Sequence, residues 1–483
     1  MKRNHDSIFY ADSNPNKTMR HALKLKLAIL LILFNCINLY SQIDDHHIVV
    51  EANRIDSVDF EKCLALWNAP SLEQRIQSGI EQNRKGDAII KVVDKQGSTV
   101  DDVEISVEQL SHDFIFGSKF FYQNAFGEES KDQRYEELFK DIFNSASIPI
   151  YWHIVEPEQG IFNYAEVKKY AGYKVPIDAM VKFCEDNEMV MKGHPIVWER
   201  SQARWAPEDK EALESLYRRR FEELSNRYRE QIKYWDVVNE PLNRPINKVL
   251  PENCTVWSMK MADRYFNPDN KLGVNATTRN SWLNFYYEDS PYYLLIKNLV
   301  LQGIKIDYIG MQFHLWYGAD FINGLYDGNK MTPEHLFRVL DQYADFNLPI
   351  HISEITLPVL SNEKAEEWQA ILGANYFRLL FSHPNVECLT WWNLTDEFAR
   401  DGKNFKGALT GDDLRLKPLY YSIRKLIKDE WHTSFSNIQF SQGGYGFRGF
   451  YGKYQVKLII DGKTIVETIH LSKTGKNEFK ITI

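Results

Sequence analysis

A chain of 483 residues with 44% hydrophobic and 26% charged content has room for one large domain plus smaller appendages, and it is neither disordered nor fibrous. A net charge of −8 leaves no basic stripe, which excludes nucleic acid as a partner. Aromatic content is high at 14%, with 12 Trp and 26 Tyr; such rings stack on sugars, although most of them ordinarily fill a core.

Leu27–Phe34 is an apolar run preceded by Arg20, Lys24 and Lys26 and followed by Ser41-Gln42, the layout of a signal peptide over residues 1–41. Residues 1–18 are polar, which makes Met19 a plausible true start. The run is shorter than the ~20 residues of a membrane span, so export is expected, to the periplasm, the cell surface or the medium; an uncleaved anchor is the alternative. Cys36 would leave with the signal. Cys63, Cys184, Cys254 and Cys388 are widely spread without a C-x-x-C pair, so no metal site is expected; Cys184 and Cys388 fall in apolar patterns and read as buried thiols.

The segment 42–110 carries no clear period up to residue 69. Then Ser71-x-x-Gln74 after Pro70 resembles a capping box opening a helix that ends near Lys85-Gly86. Ile90 and Val92, then Val103, Ile105 and Val107, alternate with polar residues as half-buried strands do. Across 111–430, apolar strands alternate with amphipathic segments. Eight strands are expected at Phe114–Ser118, Ile142–Asn144, Val190–His194, Tyr234–Asn239, Leu272–Asn275, Tyr308–Gln312, Ile350–Glu354 and Cys388–Trp392. Helices are expected between them, over 176–187, 209–229, 291–302, 332–345 and 364–381. Eight such units predict an α/β fold, a (β/α)8 TIM barrel; an open doubly wound sheet is disfavoured because no Gly-rich phosphate loop follows the first strand. In 431–483, Tyr454, Val456, Leu458 and Ile460 alternate up to a turn at Asp461-Gly462, a strong hairpin signal. The two β segments are each too small to stand alone, so they are expected to complete one accessory β-sandwich beside the barrel.

Two of the expected strands end in a carboxyl group, Glu240 after Tyr234–Asn239 and Glu354 after Leu348–Ser353. Barrel active sites lie at strand C-termini, and glycoside hydrolysis needs two carboxyl groups there, one to protonate the leaving oxygen and one to attack carbon or activate water. A strand-end Glu also caps helices or pairs with Lys, so each alone decides little.

The motifs taken together resemble glycoside hydrolase family 10, best known for endo-β-1,4-xylanases. They are Phe143-Asn144, Trp152 with Glu156-Pro157-Glu158-x-Gly160-x-Phe162, Gly193–Trp198, Trp235–Glu240, Gln312-Phe313-His314, Ile352-Ser353-Glu354, Trp392 and Lys417-Pro418-x-Tyr420, spread from about Phe116 to Ile427. The resemblance implies a retaining double displacement with Glu240 as acid/base and Glu354 as nucleophile. It also implies that Asn239 binds the sugar 2-hydroxyl, that His314, two residues beyond Gln312, orients the nucleophile, and that His194 contacts the sugar. Trp198 and Trp392 are implied as subsite walls and Trp152 on the glycone side, with core packing as the alternative for each. No cofactor and no obligatory protein partner is implied; the partner is a polysaccharide, xylan or a related β-glycan.

The chain also departs from the family. Ser147–Trp152 is shorter than the family's segment and lacks its glycone-binding Asn and Lys; Glu199 stands where a His usually follows Val-Trp; and Gly273–Thr277 loses the usual aromatics but keeps an Asn. Substrate choice is therefore open between xylan, a decorated xylan and another β-glycan, and a sugar-binding barrel without turnover is the rival from another class. The terminal aromatics Tyr445, Phe447, Phe450 and Tyr451 are read as packing rather than as a second sugar site.

Overall fold

The computed structural model describes residues 58–243, 253–398, 405–441 and 443–483. The expected signal peptide, Met19 and Cys36 lie outside them. Among the described residues no helix is long and apolar enough to cross a membrane.

Eight parallel strands close into a barrel: β3 (Ile115–Lys119), β4 (Ser145–Pro149), β5 (Val190–His194), β6 (Tyr234–Asn239), β7 (Lys271–Ala276), β8 (Tyr308–His314), β9 (Ile350–Thr356) and β10 (Val386–Trp391), with β10 pairing back onto β3. The TIM barrel expected from the alternation is present. Its second strand is displaced from the expected Ile142–Asn144. Ile142 ends the helix Glu129–Ile142, whose apolar face of Tyr135, Leu138, Phe139 and Ile142 packs onto the barrel wall. Asn144 is a bracket at the barrel base: its carboxamide accepts from the Phe116 amide and donates to the Phe114 carbonyl.

The helices between strands start on residues suited to the task. Asp209 caps Lys210–Tyr228 by accepting from the Ala212 amide, and Ser290 and Thr332 each cap a helix whose next residue is proline, Pro291–Leu301 and Pro333–Ala344. At the chain's earlier helix, Pro70–Arg84, the expected capping box is not formed. Proline at the first helical position sets the start, and Ser71 lies inside. A preceding helix, Phe60–Trp67, occupies a stretch without a clear sequence period; it buries Phe60, Cys63 and Trp67. Cys63, Cys184 and Cys388 are buried thiols, and Cys254 is half-buried and also free.

The helix Pro70–Arg84 runs directly into β1 (Lys85–Val93), which is followed by β2 (Glu104–Gln109). After the barrel come β11 (Ser434–Phe435), β12 (Phe440–Ser441), β13 (Gly444–Phe450), β14 (Gly452–Ile460), β15 (Lys463–Leu471) and β16 (Glu478–Thr482). These form two four-stranded sheets, ordered β12-β13-β1-β16 and β11-β2-β14-β15, so strands from both ends of the chain share each sheet. A core of Ala88, Ile90, Val92, Ile105, Val107, Tyr454, Val456 and Leu458 fills the space between. The hairpin β14–β15 turns at Asp461-Gly462, both with positive φ (49° and 75°), as a tight two-residue turn requires. Tyr445, Phe447 and Phe450 are buried, the first two in this core, and present no sugar-stacking face.

Candidate active site

Side chains at alternate positions on the barrel strands point inward, and their chemistry changes along the axis. At one end Ile115, Tyr234, Tyr308 and Cys388 make an apolar plug. Above it Lys192, Asp236 and His351 are buried in the interior. Asp236 accepts from the Tyr308 hydroxyl (2.7 Å) and from His194 Nδ1 (2.8 Å). Gly273 makes the first contact possible, because a Cβ there would lie 2.3 Å from the Tyr308 ring. Burial acts to raise the Asp236 carboxyl, but Lys192, His194 and Tyr308 outweigh it and hold the group below the usual carboxylate range. As an ionised carboxylate accepts only, His194 carries its proton on Nδ1, and Nε2 faces the C-terminal end of the strands.

At that end stand both predicted carboxyl groups. Glu354, on β9, is buried and held from two sides: His314 Nε2 lies 2.9 Å from Oε2, and Asn275 Nδ2 donates to Oε1 at 2.7 Å. His194 Nε2 approaches Oε1 to 3.9 Å. Thr356 faces His314 Nδ1 at 3.0 Å; with its hydroxyl donating there, His314 presents an Nε2–H to the carboxylate. Glu240 follows β6 with φ +53°, an unusual backbone conformation for a residue with a side chain, and is half-buried. It accepts from Asn243 (2.6 Å), from Gln312 (3.2 Å) and from the Trp198 side chain. Burial and then the Glu354 charge raise the Glu240 carboxyl above its usual range, against the opposing pull of Gln312 and Arg200.

One hydrogen-bonded chain joins the pair. Gln312 Nε2 donates to Glu240 and to Asn239 Oδ1 (3.3 Å); Asn275 Nδ2 donates to the same Asn239 oxygen (2.8 Å) and to Glu354. Ser353 fixes the other end of the Asn275 amide by donating to its Oδ1, and Gly310 leaves room for it, as a Cβ there would come within 2.9 Å of that oxygen. The arrangement joins a carboxyl group raised by its surroundings to a second one held in place by donors at the barrel mouth.

The structure brings together Glu240, Glu354, His194, Asn239, Gln312, His314, Trp198 and Trp392. The Trp392 ring stands 5.4 Å from His194 and 6.1 Å from His314. Trp152 is placed elsewhere. It is 1% exposed, its indole N–H donates to Glu156, and it packs on Trp205 and Tyr217, so its neighbour Tyr151 occupies the cleft instead. The Tyr151 ring lies 5.5 Å from Trp198 and 5.9 Å from His194, and burial, Tyr173 and Glu354 keep its phenol protonated. Sequence alone marks none of Asn275, Ser353, Thr356 and Tyr151 as a site residue, although it shows an Asn after the fifth strand. Trp316, stacked 4.0 Å from His314, was missed too. Among the described residues no group of three or more His, Cys, Asp or Glu side chains is placed to hold a metal ion.

The model of glycosyl hydrolase family 10 matches residues 110–426, about two thirds of the chain. The chain belongs to glycosyl hydrolase family 10. Similar curated proteins include endo-1,4-beta-xylanase B of Thermotoga neapolitana, 27% identical over 329 residues and covering 62% of this chain and 84% of that one. Another is the anti-sigma-I factor RsgI6 of Acetivibrio thermocellus, 26% identical over 392 residues and covering 80% of this chain; the chain spans 46% of that relative's length. Among solved structures, xylanase 10B from Thermotoga petrophila RKU-1 in complex with xylobiose superposes with a TM-score of 0.54 at 22% identity, over 66% of this chain and 95% of that one. Native xylanase 10B from Thermotoga maritima gives 0.53 at 22% identity. These structures show the same barrel.

Proposed function

We propose that this family 10 chain is an exported retaining endo-glycosidase that hydrolyses β-1,4-xylan. Glu240 protonates the glycosidic oxygen while Glu354 attacks the anomeric carbon and forms a glycosyl ester; Glu240 then takes a proton from the water that releases the sugar. The observation that carries the reading is the asymmetry of the linked pair. Glu240 is half-buried with a raised carboxyl, suited to hold a proton, whereas Glu354 is buried and fixed in orientation from two sides by His314 and Asn275, suited to in-line attack. Asn239, at the centre of the hydrogen-bonded chain, faces the position of a sugar 2-hydroxyl, and Trp198 and Trp392 wall the subsite. The signal-like N-terminal run supports export.

Product release from xylan and from a panel of other β-glycans, with Glu354→Gln as control, tests this. Xylo-oligosaccharides that vanish in the control are expected. A second reading, the same mechanism on another β-glycan or a decorated xylan, draws on the rebuilt segment Ser147–Trp152 and is read from the same panel. Sugar binding without turnover on any glycan would make the chain a binding barrel.

A further inference from the structure

Lys119 ends β3, and the two-residue alternation from Ile115, inside the barrel plug, turns it inward. It is 6% exposed. Its ammonium stands over three rings, 5.3 Å from the centroid of Phe121, 5.2 Å from Tyr122 and 5.3 Å from Trp392. Among the described residues it has no carboxylate partner and no hydrogen-bond acceptor. Ring faces offset part of the cost of burying a cation, but they leave the three N–H donors of an ammonium without directional partners. A lysine used only for packing has no need of such a position at the barrel mouth.

The place of those donors is fixed by Trp392. One ring is shared between Lys119 and the two histidines beside Glu354. Phe121, under the same ammonium, touches Tyr151 at 5.6 Å. Around Glu240 the neighbours are other residues: Asn243 donates to its Oε2, Thr277 donates to Asn243, and Tyr317 accepts from the Arg279 amide. Lys119 therefore lies on the Trp392 and histidine side of the carboxylate pair and not among the partners of Glu240, and on the proposed hydrolase reading that is the glycone side. The neighbouring Ser147–Trp152 offers that sugar only the Ser147 hydroxyl, the Tyr151 phenol and the Trp152 indole, which is turned to Glu156.

Resting on the proposed hydrolase reading, we infer that Lys119 is a substrate-binding residue. Its ammonium donates to ring hydroxyl oxygens of the neutral β-linked sugar held between Trp392 and Glu354, and by doing so sets which sugar the glycone side accepts. The charge stays on the lysine throughout, so no proton moves in this contact.

The test uses Lys119→Met and Lys119→Gln in the mature chain, with two readouts. Turnover of an aryl β-xylobioside should fall about tenfold to a hundredfold in kcat/KM, the range for losing hydrogen bonds from a charged donor. Calorimetric binding of xylotriose to Glu354→Gln should weaken by a similar factor when either Lys119 substitution is added, with the melting temperature of whichever variant folds recorded alongside. Unchanged binding and turnover in a folded variant would overturn the assignment, as would a loss confined to oligosaccharides bearing a uronic acid. The two readings fail separately: wild-type turnover with indifferent Lys119 variants sinks only this inference. A parent that neither hydrolyses nor binds any β-glycan oligosaccharide of the panel sinks both.

Discussion

Asn275 Nδ2 donates to Oε1 of Glu354 at 2.7 Å, and with its second N–H the same amide holds Asn239 Oδ1 at 2.8 Å. One carboxamide thus positions both the proposed nucleophile and the residue proposed to meet the sugar 2-hydroxyl. Asn275→Ala should lower kcat on an aryl xylobioside by roughly tenfold to a hundredfold, more than it raises KM, because the contact fixes the line of attack of the Glu354 carboxylate and the orientation of Asn239. A change in KM alone would show that Asn275 acts on binding rather than on the nucleophile.

Glu354→Gln should remove turnover by about a thousandfold or more, whatever the leaving group. Glu240→Gln should cost about 10²–10⁴-fold on xylan but far less on a dinitrophenyl glycoside, whose leaving group needs no proton. Azide should rescue the Glu240 variant with a glycosyl azide of retained configuration, and any rescue of the Glu354 variant should give the inverted azide. A glycosyl azide of retained configuration from the Glu354 variant, and of inverted configuration from the Glu240 variant, would exchange the two roles.

Gln312 donates to Glu240 and so favours the ionised form, against burial and the Glu354 charge. Replacing it with Leu should let the carboxyl rise further. The alkaline limb of kcat/KM, which follows loss of the acid's proton, should move to higher pH while the maximum falls. A limb that moves to lower pH would contradict the assignment of Glu240 as the acid.

Asp236 is held below its usual 3.8 in the folded chain, mainly by Lys192 and His194 acting against burial. A carboxyl depressed by folding stabilises the fold above its unfolded value, and that contribution is lost as pH falls through the folded value. The stability difference between wild type and Asp236→Asn should therefore be full at about pH 5 and above and shrink below 3.8, as read by urea titration at each pH.

Cutting the chain to residues 111–430 removes both sheets of the sandwich and Trp431, whose ring stacks 3.9 Å from Phe381 and beside Phe116. The bared face should lower the melting temperature by several degrees or make the fragment aggregate. A fragment as soluble and stable as the mature chain would show that the sandwich is an independent attachment.

Much of this was legible in the residues, and the gaps have physical causes. The strand-end carboxyl groups stand out because the largely apolar strands Tyr234–Asn239 and Leu348–Ser353, with Val237, Val238, Ile350 and Ile352, each run into a Glu. Strand β4 was misplaced because Ser145–Pro149 has little strand preference, while Ile142-Phe143, which ends the preceding helix, looks like a buried strand. Phe60–Trp67 escaped notice because it spans two turns and has no side-chain cap to mark its start. Trp152 and Tyr151 exchange places because one residue of rotation at the turn after β4 decides which ring enters the core. Asn275, Tyr151 and Lys119 act through neighbours far away in sequence, and no local spacing reports that.

The pairing of β1 with β16, in register from Ile89 against Glu478 to Val93 against Thr482, has a consequence for how the molecule is made. During synthesis β1 and β2 emerge before the barrel, yet their partners follow only after its last strand. Throughout that interval two strands with apolar faces wait with open edges, the circumstance in which chains cross-pair. The Lys-Gly-Asp start of β1 and the Glu104 and Glu108 side chains of β2 put charge on those edges. Ribosome pausing near the end of the barrel would lengthen the exposure, so yield in a heterologous host should depend on how quickly the last fifty or so residues are delivered.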